Sequence, residues 1–134
     1  MNKKTFTYKN AGVDTKKASS LVKRLEKITK KTYQKSVMSN PGGFCSLVDL
    51  KKTNYSDPIL LSSTDGVGTK VKIASDLNIF KYIGFDLVAM CVNDILANGG
   101  NPIFFLDYIS SSVLEKKQYL EIISGIADAC SSIN

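Results

Sequence analysis

Residues 63–70 read Ser-Thr-Asp-Gly-Val-Gly-Thr-Lys and carry side chains and backbone groups suited to chemistry. From Asp65 to Lys70 the chain places a carboxylate, two glycines, a hydroxyl and an ammonium within six residues. Glycines let the backbone approach a ligand closely and expose N–H groups that suit anionic oxygens. A lysine supplies a point charge for phosphate, and an aspartate can hold a hard cation such as Mg²⁺. The segment therefore predicts a site for a polyphosphate and its metal ion.

The residues alone leave a simpler interpretation of this segment open. Asp-Gly turns are common at the ends of strands, so a tight turn with a solvated lysine also fits the pattern. The segment is not a P-loop, which needs four residues between its first glycine and a Gly-Lys pair. It does not match the dinucleotide-binding fingerprint either.

A second set of polar residues interrupts an apolar helix that the sequence predicts over residues 87–98. Asp86 is expected to cap this helix, and Asn93 and Asp94 break its apolar character. A solvent-exposed Asn-Asp pair is the common case. Because an unpaired buried charge is costly, however, a covered Asp94 would be paired or bound to a metal. If the strand before Asp65 packs beside this helix, the two aspartates could converge on one metal ion.

The elements that must position these residues begin with a helix. Leu21, Leu25 and Ile28 recur at helical spacing and predict a helix over about 15–31, with Asp14 as its N-cap. Strands are then predicted over residues 44–50, 59–61 and 103–106. A loop over 32–43 precedes the first strand, and a polar connection over 51–57 leads to the second. The pattern of residues 71–77 fits a helix or a strand.

The end of the chain predicts one more helix. Residues 112–115 form a capping box, and the helix behind it buries one face, made of Leu120, Ile123, Ala127 and Cys130. Asp107 ends the preceding strand and adds a third carboxylate at a strand terminus. Strands that alternate with helices predict an α/β (α+β) fold with a mixed sheet and helices packed on one face.

The bulk composition excludes several classes of site. The chain is 43% hydrophobic and 22% charged, and no apolar run approaches the roughly 18 residues that span a bilayer. Its N-terminus lacks the apolar region of a signal peptide, so a cytoplasmic location is expected. There is no histidine, which excludes His-based triads and Cys/His zinc sites. Cys45, Cys91 and Cys130 are expected to be small buried hydrophobes.

The net charge of +6 is unevenly distributed. Residues 1–52 hold thirteen Lys and Arg against three acids, whereas residues 53–134 hold five lysines against nine acids. A solvated helix face explains the basic half best, and attraction of an anionic small substrate explains it too. A non-catalytic nucleic-acid-binding module is the rival from another class, but it lacks interleaved aromatic residues. We therefore expect a small-molecule substrate and no nucleic-acid or membrane partner.

Four motifs follow one another in a recognisable order: residues 8–14 (YKNAGVD), 63–70 (STDGVGTK), 83–94 (IGFDLVAMCVND) and 104–108 (FFLDY). Together they closely resemble the N-terminal part of the phosphoribosylformylglycinamidine cyclo-ligase family, also called aminoimidazole ribonucleotide synthetases. The resemblance covers essentially the whole chain from Tyr8 onward.

The resemblance implies an ATP-dependent ligase of de novo purine synthesis. Such enzymes convert formylglycinamidine ribonucleotide and ATP into aminoimidazole ribonucleotide, ADP and phosphate, activating the formyl oxygen before an internal nitrogen closes the ring. The resemblance also implies a homodimer whose N-terminal domains pair through strands into a shared barrel, so that this chain would supply a half-barrel. ATP would bind near that interface.

The resemblance also implies roles for individual residues. Asp65 and Asp94 resemble the Mg²⁺ ligands, and Lys70 together with Asp94 would be catalytic. The nucleotide contacts would be Asp65, Gly66, Val67, Gly68, Thr69, Lys70 and Asn93. Asp107 is a weaker candidate. Residues 8–14 resemble a stretch that covers the ATP site, and residues 42–44 resemble the glycine turn before the first barrel strand.

The family's next motif, Gly-Gly-Glu-Thr, and its C-terminal domain do not occur in residues 1–134. We therefore expect these residues to form a partial N-terminal ATP-binding and dimerisation domain that is inactive alone. Selenophosphate synthetase, thiamine-monophosphate kinase and the hydrogenase maturation protein are alternatives from the same superfamily. They share the paired aspartates but not the motifs at 8–14 and 104–108. A plain structural domain leaves the polar residues at the strand ends unexplained.

Overall fold

Helices provide almost all of the regular structure in the part of the chain that is described, residues 7, 8, 10–38 and 42–133 of a computed structural model. The α-helices are α1 (Thr15–Thr29), α2 (Lys70–Leu77), α3 (Lys81–Ala97) and α4 (Lys116–Ile133). Short 3₁₀ helices span Lys30–Thr32 and Leu50–Lys52. The prediction of a helix over about 15–31 is confirmed, and residues 71–77 prove to be helical.

Helix α1 begins where its sequence predicts. The Asp14 side chain accepts a hydrogen bond from the Lys17 backbone N–H at 3.0 Å, which satisfies one of the free N–H groups of the first turn. Leu21 is buried, and Leu25 and Ile28 pack against the main apolar core. The helix therefore presents one apolar stripe inward and leaves its lysines in solvent.

The main core forms where α3 crosses α4. It consists of Val88 from α3 with Ile123, Ile126 and Ala129 from α4. The predicted buried face of α4 is confirmed, since Ile123 and Ala127 are buried and Leu120 and Cys130 are half-buried.

Two glycines let the backbones of α3 and α4 touch. A Cβ atom added to Gly125 would overlap the carbonyl oxygen of Lys81, and one added to Gly84 would overlap the backbone of Ile122 and Ile126. Neither glycine has a positive φ angle, so the absence of a side chain matters here for space rather than for backbone conformation.

Asp128 links three helices at one edge of this core. Its carboxylate pairs with Lys31, just beyond α1, and with Lys81 at the start of α3, where the Lys81 Nζ–Asp128 Oδ2 distance is 2.9 Å. Both lysines lower the pKa of the Asp128 carboxyl, mainly through the hydrogen bonds that they donate. The same hydrogen bond raises the pKa of Lys81.

The predicted mixed sheet is wrong for the part of the chain that is described. One isolated antiparallel bridge, between Val37 and Val48, is its only β pairing. Residues 44–50, 59–61 and 103–106 are not strands, and the half-barrel expected from the resemblance is absent from these residues. A β-strand depends on a neighbouring strand for its hydrogen bonds, and the apolar pattern of these segments could not supply one. Ile59, in the segment at 59–61, is 87% exposed, so this segment is not the buried strand that its apolar run suggests.

The beginnings of two helices also differ from the sequence-based expectation. Helix α3 begins at Lys81 rather than at residue 87, so Asp86 lies inside the helix and does not cap it. The early start buries Ile83 against Phe80 and Ala74 in a second apolar cluster. Helix α4 begins at Lys116 rather than just behind a cap at residue 112.

The remaining expectations concern cysteines, a turn and membrane spans. Cys91 is buried and Cys130 half-buried as expected, but Cys45 is exposed. The turn at residues 42–44 leads into exposed chain rather than a strand, and residues 39–41 of the predicted loop lie outside the described part. No described helix combines the length and apolar character needed to cross a bilayer.

Candidate functional site

Residues 61–63 lie against the C-terminal half of α3, just before the glycine-rich motif, which comprises residues 65–69. The Ser63 hydroxyl donates a hydrogen bond to Asp94 Oδ2 at 2.9 Å, which joins two residues 31 positions apart. Two residues earlier, Leu61 approaches the end of the helix: a Cβ atom on Gly100 would lie 3.3 Å from Leu61 Cδ2. This segment therefore packs beside the apolar helix, which is the condition under which Asp65 and Asp94 could converge. The segment is not a strand, however.

A shallow cleft of about 460 Å³ opens between this segment and α3. Its lining consists of Leu61, Ser62, Ser63, Asp94, Ile95, Ala97 and Asn98. We call this space the Asp94 cleft. Within the cleft, Asn98 donates its side-chain amide to the Asp94 carbonyl oxygen at 2.9 Å. Hydroxyl, carboxylate and carbonyl oxygens thus gather at one place on an apolar helix.

Asp65 lies two residues beyond the point of contact with α3. Its Oδ1 atom accepts a hydrogen bond from the Gly66 backbone N–H at 2.7 Å. Two residues of extended chain span at most about 7 Å. Since Ser63 touches Asp94, Asp65 is tethered near the same cleft, and the convergence of the two aspartates on one metal ion stays a prediction.

The backbone of the glycine-rich motif is open to a ligand. A Cβ atom on Gly66 or Gly68 would meet no heavy atom within 4 Å, and Gly68 has a φ angle of 66° that favours glycine. Val67 is half-buried and packs against the second apolar cluster, whereas Thr69 is exposed. The motif is therefore anchored by one apolar side chain and exposed elsewhere.

Lys70 opens α2, and its side chain reaches toward α3. Its Nζ lies 3.2 Å from Asp86 Oδ2, and both side chains remain partly exposed. The lysine therefore has an ion-pair partner while most of its side chain stays in solvent, and the tight-turn alternative stays open. Asp86 is a polar neighbour of the site that sequence reasoning took for a helix cap. The signal available in the sequence was that apolar residues stand on both sides of Asp86, with Ile83 and Phe85 before it and Leu87 and Val88 after it.

Asn93 and Asp107, the two remaining candidate residues, have different surroundings. Asn93 is exposed on α3 beside Asp94. Desolvation raises the pKa of the Asp107 carboxyl, although the residue as a whole is exposed. Desolvation also raises the pKa of Tyr119, and that of Cys130 to about 11, with the Asp107 charge as the second cause in each case. The Asp107 carboxylate is therefore near enough to α4 for its charge to act on Tyr119 and Cys130.

The donor atoms of the site suit a hard cation that also binds a ligand. No group of three His, Cys, Asp or Glu side chains within metal-binding reach occurs among the described residues. Mg²⁺ does not need such a cage, since it is usually held by one or two carboxylates together with substrate phosphates and water. Asp94, the Ser63 oxygen and the nearby Asp65 fit that kind of incomplete site.

The N-terminal motif approaches the segment that precedes α4. A Cβ atom on Gly12, whose φ angle is 89°, would lie 3.2 Å from the Ser112 carbonyl oxygen. Val13 donates its backbone N–H to the Tyr8 carbonyl oxygen at 2.8 Å, closing a turn. Lys9 lies outside the described part of the chain. The expected role of residues 8–14 over a nucleotide stays a prediction.

Comparison with known proteins gives relatives that share one name. The chain is 49% identical over 123 residues to a phosphoribosylformylglycinamidine cyclo-ligase of Oceanobacillus iheyensis, and the match covers 92% of the chain. It is 48% identical over 132 residues to that of Leptospira interrogans, covering 96% of the chain. It is 45% identical over 126 residues to that of Finegoldia magna, covering 94%. The matched region spans 36–38% of the length of these relatives.

A family model matches the region that holds the candidate site. Residues 45–134 match the N-terminal domain of AIR synthase related proteins, and this range includes Asp65, Lys70 and Asp94. The resemblance inferred from the four sequence motifs is confirmed. The chain belongs to the family of AIR synthase related proteins, whose N-terminal domain it carries.

Proposed function

We propose that this chain is the N-terminal, nucleotide-binding part of an ATP-dependent phosphoribosylformylglycinamidine cyclo-ligase. The proposed reaction converts formylglycinamidine ribonucleotide and ATP into aminoimidazole ribonucleotide, ADP and phosphate. The observation that carries the proposal is the hydrogen bond between Ser63 and Asp94. It places the glycine-rich motif beside the carboxylate of the apolar helix in a chain whose relatives bear this name.

The proposed division of labour follows from the chemistry of each group. Asp65 and Asp94 hold Mg²⁺, which neutralises charge on the phosphates when it is bound. The backbone N–H groups of residues 66–69 face the phosphate oxygens, because the glycines leave room for close approach. Asn93 contributes a further polar contact to the nucleotide.

Lys70 provides a positive charge that stabilises the negative charge on the phosphoryl group during transfer. Phosphoryl transfer depends mainly on positioning and on electrostatic stabilisation of charge that spreads over the phosphate oxygens. The lysine lies 3.2 Å from Asp86, so it is held near the motif in the absence of a nucleotide. It would exchange this carboxylate for a phosphate oxygen on binding.

We also propose that the protein acts as a homodimer in the cytoplasm. Ile59, Leu106 and Tyr108 lie on extended segments and are between 64% and 90% exposed, so the described chain leaves large apolar side chains in water. Covering such side chains in a second copy is favourable. Residues 1–134 would then serve both nucleotide binding and dimerisation.

The proposed activity is tested with the complete encoded polypeptide, supplied with formylglycinamidine ribonucleotide and Mg·ATP. Aminoimidazole ribonucleotide and phosphate should appear in equal amounts. Asp94→Asn should lower kcat/KM by on the order of 100-fold, as expected for loss of a group that stabilises the reacting phosphates. Lys70→Ala should also lower kcat/KM strongly.

Lys72→Ala is the matched control. Lys72 lies on the same helix two residues from Lys70, but its Nζ is exposed and pairs with Asp76 at 2.7 Å. Its removal should leave kcat/KM within about twofold of wild type. Turnover of thiamine monophosphate or selenide in place of the ribonucleotide would instead identify another enzyme of the superfamily.

A further inference from the structure

Ser63 makes a directed contact at the edge of the proposed metal site. It is half-buried, whereas Asp94 is exposed, and the hydrogen bond between their side chains is 2.9 Å long. Asn98 holds only the backbone carbonyl oxygen of Asp94, at 2.9 Å, and does not engage its carboxylate. The orientation of that carboxylate therefore depends on the serine, which comes from a different segment of the chain.

The chemistry of the hydroxyl group determines what this contact can do. Serine has one hydroxyl proton, and Ser63 donates it to Oδ2, so its own oxygen keeps only the capacity to accept. Among the residues that the structure describes, Asp94 Oδ1 receives no hydrogen bond beside the one that Oδ2 accepts. A charge-assisted hydrogen bond therefore joins Ser63 to Asp94 Oδ2. The lone pairs of Ser63 Oγ and Asp94 Oδ1 are the hard oxygen donors that the two side chains can offer to a cation.

We infer that Ser63 is a positioning residue that fixes the Asp94 carboxylate in the orientation needed to bind a divalent cation. This inference rests on the proposed function, because it concerns the same metal-binding carboxylate. Hydrogen bonds to ligating carboxylates orient the ligand, and losing such a partner typically weakens metal binding 10- to 100-fold. A hydrogen bond that served only to dock the segment on α3 would have no such effect.

The serine next to it provides a matched control. Ser62 lines the same cleft and is exposed, but Asp94 receives its hydrogen bond from Ser63. Three variants of the complete encoded polypeptide are therefore compared with wild type: Ser63→Ala, Ser63→Thr and Ser62→Ala. Threonine keeps the hydroxyl group, so it should restore whatever alanine removes.

The main measurement is the affinity for Mn²⁺ alone, determined by electron paramagnetic resonance without ATP or substrate. Ser63→Ala should weaken Mn²⁺ binding about tenfold. Ser63→Thr and Ser62→Ala should bind Mn²⁺ within about twofold of wild type. Melting temperatures without divalent cations report whether each variant is folded. If Ser63→Ala does not fold, the Mn²⁺ affinity of Ser63→Thr, which keeps the hydroxyl group, still tests the inference.

Each outcome decides the inference. It is overturned if Ser63→Ala binds Mn²⁺ as tightly as wild type, if Ser62→Ala loses as much affinity, or if Ser63→Thr behaves like alanine. A wild-type protein that binds no Mn²⁺ would overturn it as well. Cyclo-ligase turnover by the wild type is measured in parallel, so failure of the proposed function, which is the absence of turnover, can be told apart from failure of this inference.

Discussion

Lys70 and Asp86 form an ion pair that a bound phosphate would have to replace. The two side chains are 61% and 36% exposed, so water weakens their attraction, and such pairs contribute at most about 1 kcal/mol. A weak pair is suited to a residue that must change partners. It holds the lysine near the glycine-rich motif without opposing ligand binding strongly.

Removing the competing carboxylate should therefore favour the nucleotide. We expect Asp86→Asn to lower the KM for ATP by up to about fivefold, because Lys70 no longer gives up an ion pair on binding. Steady-state kinetics at saturating Mg²⁺ measure this change. Asp76→Asn, which removes the partner of Lys72 on the same helix, should leave the KM unchanged. A higher KM in Asp86→Asn would mean that this carboxylate helps to bind the nucleotide.

At the scale of the elements, the crossing of α3 and α4 holds the candidate site in place. Asp94 stands on α3, and α3 is fixed to α4 by Val88 in the core and by the contact between Gly84 and Gly125. The second apolar cluster connects α3 to α2, which begins at Lys70. Catalytic side chains on packed helices keep their positions better than side chains on free loops.

The helix crossing predicts an unusual cost for a small substitution. Alanine normally stabilises a helix by about 1 kcal/mol relative to glycine. At Gly125 we expect the opposite: Gly125→Ala should lower the free energy of unfolding by about 1–3 kcal/mol, because the added methyl group overlaps the Lys81 carbonyl oxygen. Urea denaturation measures the difference. Gly66→Ala is the control, since a Cβ atom there meets nothing within 4 Å.

The ion pairs of Asp128 predict how stability depends on pH. Its folded-state pKa lies below the ordinary value of 3.8, because Lys31 and Lys81 donate hydrogen bonds to the charged form. The contribution of the carboxylate to stability is therefore fully present above that value and is lost as the pH falls through the lower folded-state pKa.

Asp128→Asn isolates this contribution. Urea denaturation of wild type and of the variant should show a constant difference in the free energy of unfolding between pH 5 and 7. The difference should shrink as the pH falls below about 4, because the wild-type carboxylate becomes protonated. Asp57→Asn, a change at an exposed residue, should follow the wild-type curve. A difference that persists undiminished at low pH would contradict the assignment.

At the scale of the whole molecule, many large apolar side chains remain in water, mainly on segments outside the helices. Some of them, such as Met38 and Phe44, lie in the basic half of the sequence, which also includes the exposed face of α1. Large exposed apolar groups indicate a surface that a partner covers. A second copy of the chain is the partner that we propose.

Placing a charge on one of these segments should weaken the homodimer. We expect Leu106→Glu to shift the complete encoded polypeptide from dimer toward monomer, because a carboxylate would have to be buried at the interface. Sedimentation velocity over a range of protein concentrations measures the shift. Lys16→Glu on the exposed face of α1 should keep the wild-type association state. A monomeric wild-type protein would refute the proposed dimer.

The sequence by itself determined three of the four α-helices, though not where α3 and α4 begin, and it determined the family. The stripe of Leu21, Leu25 and Ile28 and the apolar run behind Asp86 predicted α1 and most of α3, because helical hydrogen bonds and helical periodicity are local. The order of the four motifs along the chain identified the family. The residue types from Asp65 to Lys70 also indicated the chemistry of the candidate site.

Only the tertiary structure decided which of those residues meet. The apolar segments at 59–61 and 103–106 have the composition of strands, yet strands need neighbours that a linear pattern cannot supply. Ser63 reaches Asp94 across 31 positions, and Lys70 pairs with Asp86 on α3. Both contacts depend on how the extended segment and α2 pack against α3. Because that packing is set by non-local apolar burial, no spacing along the chain could predict it.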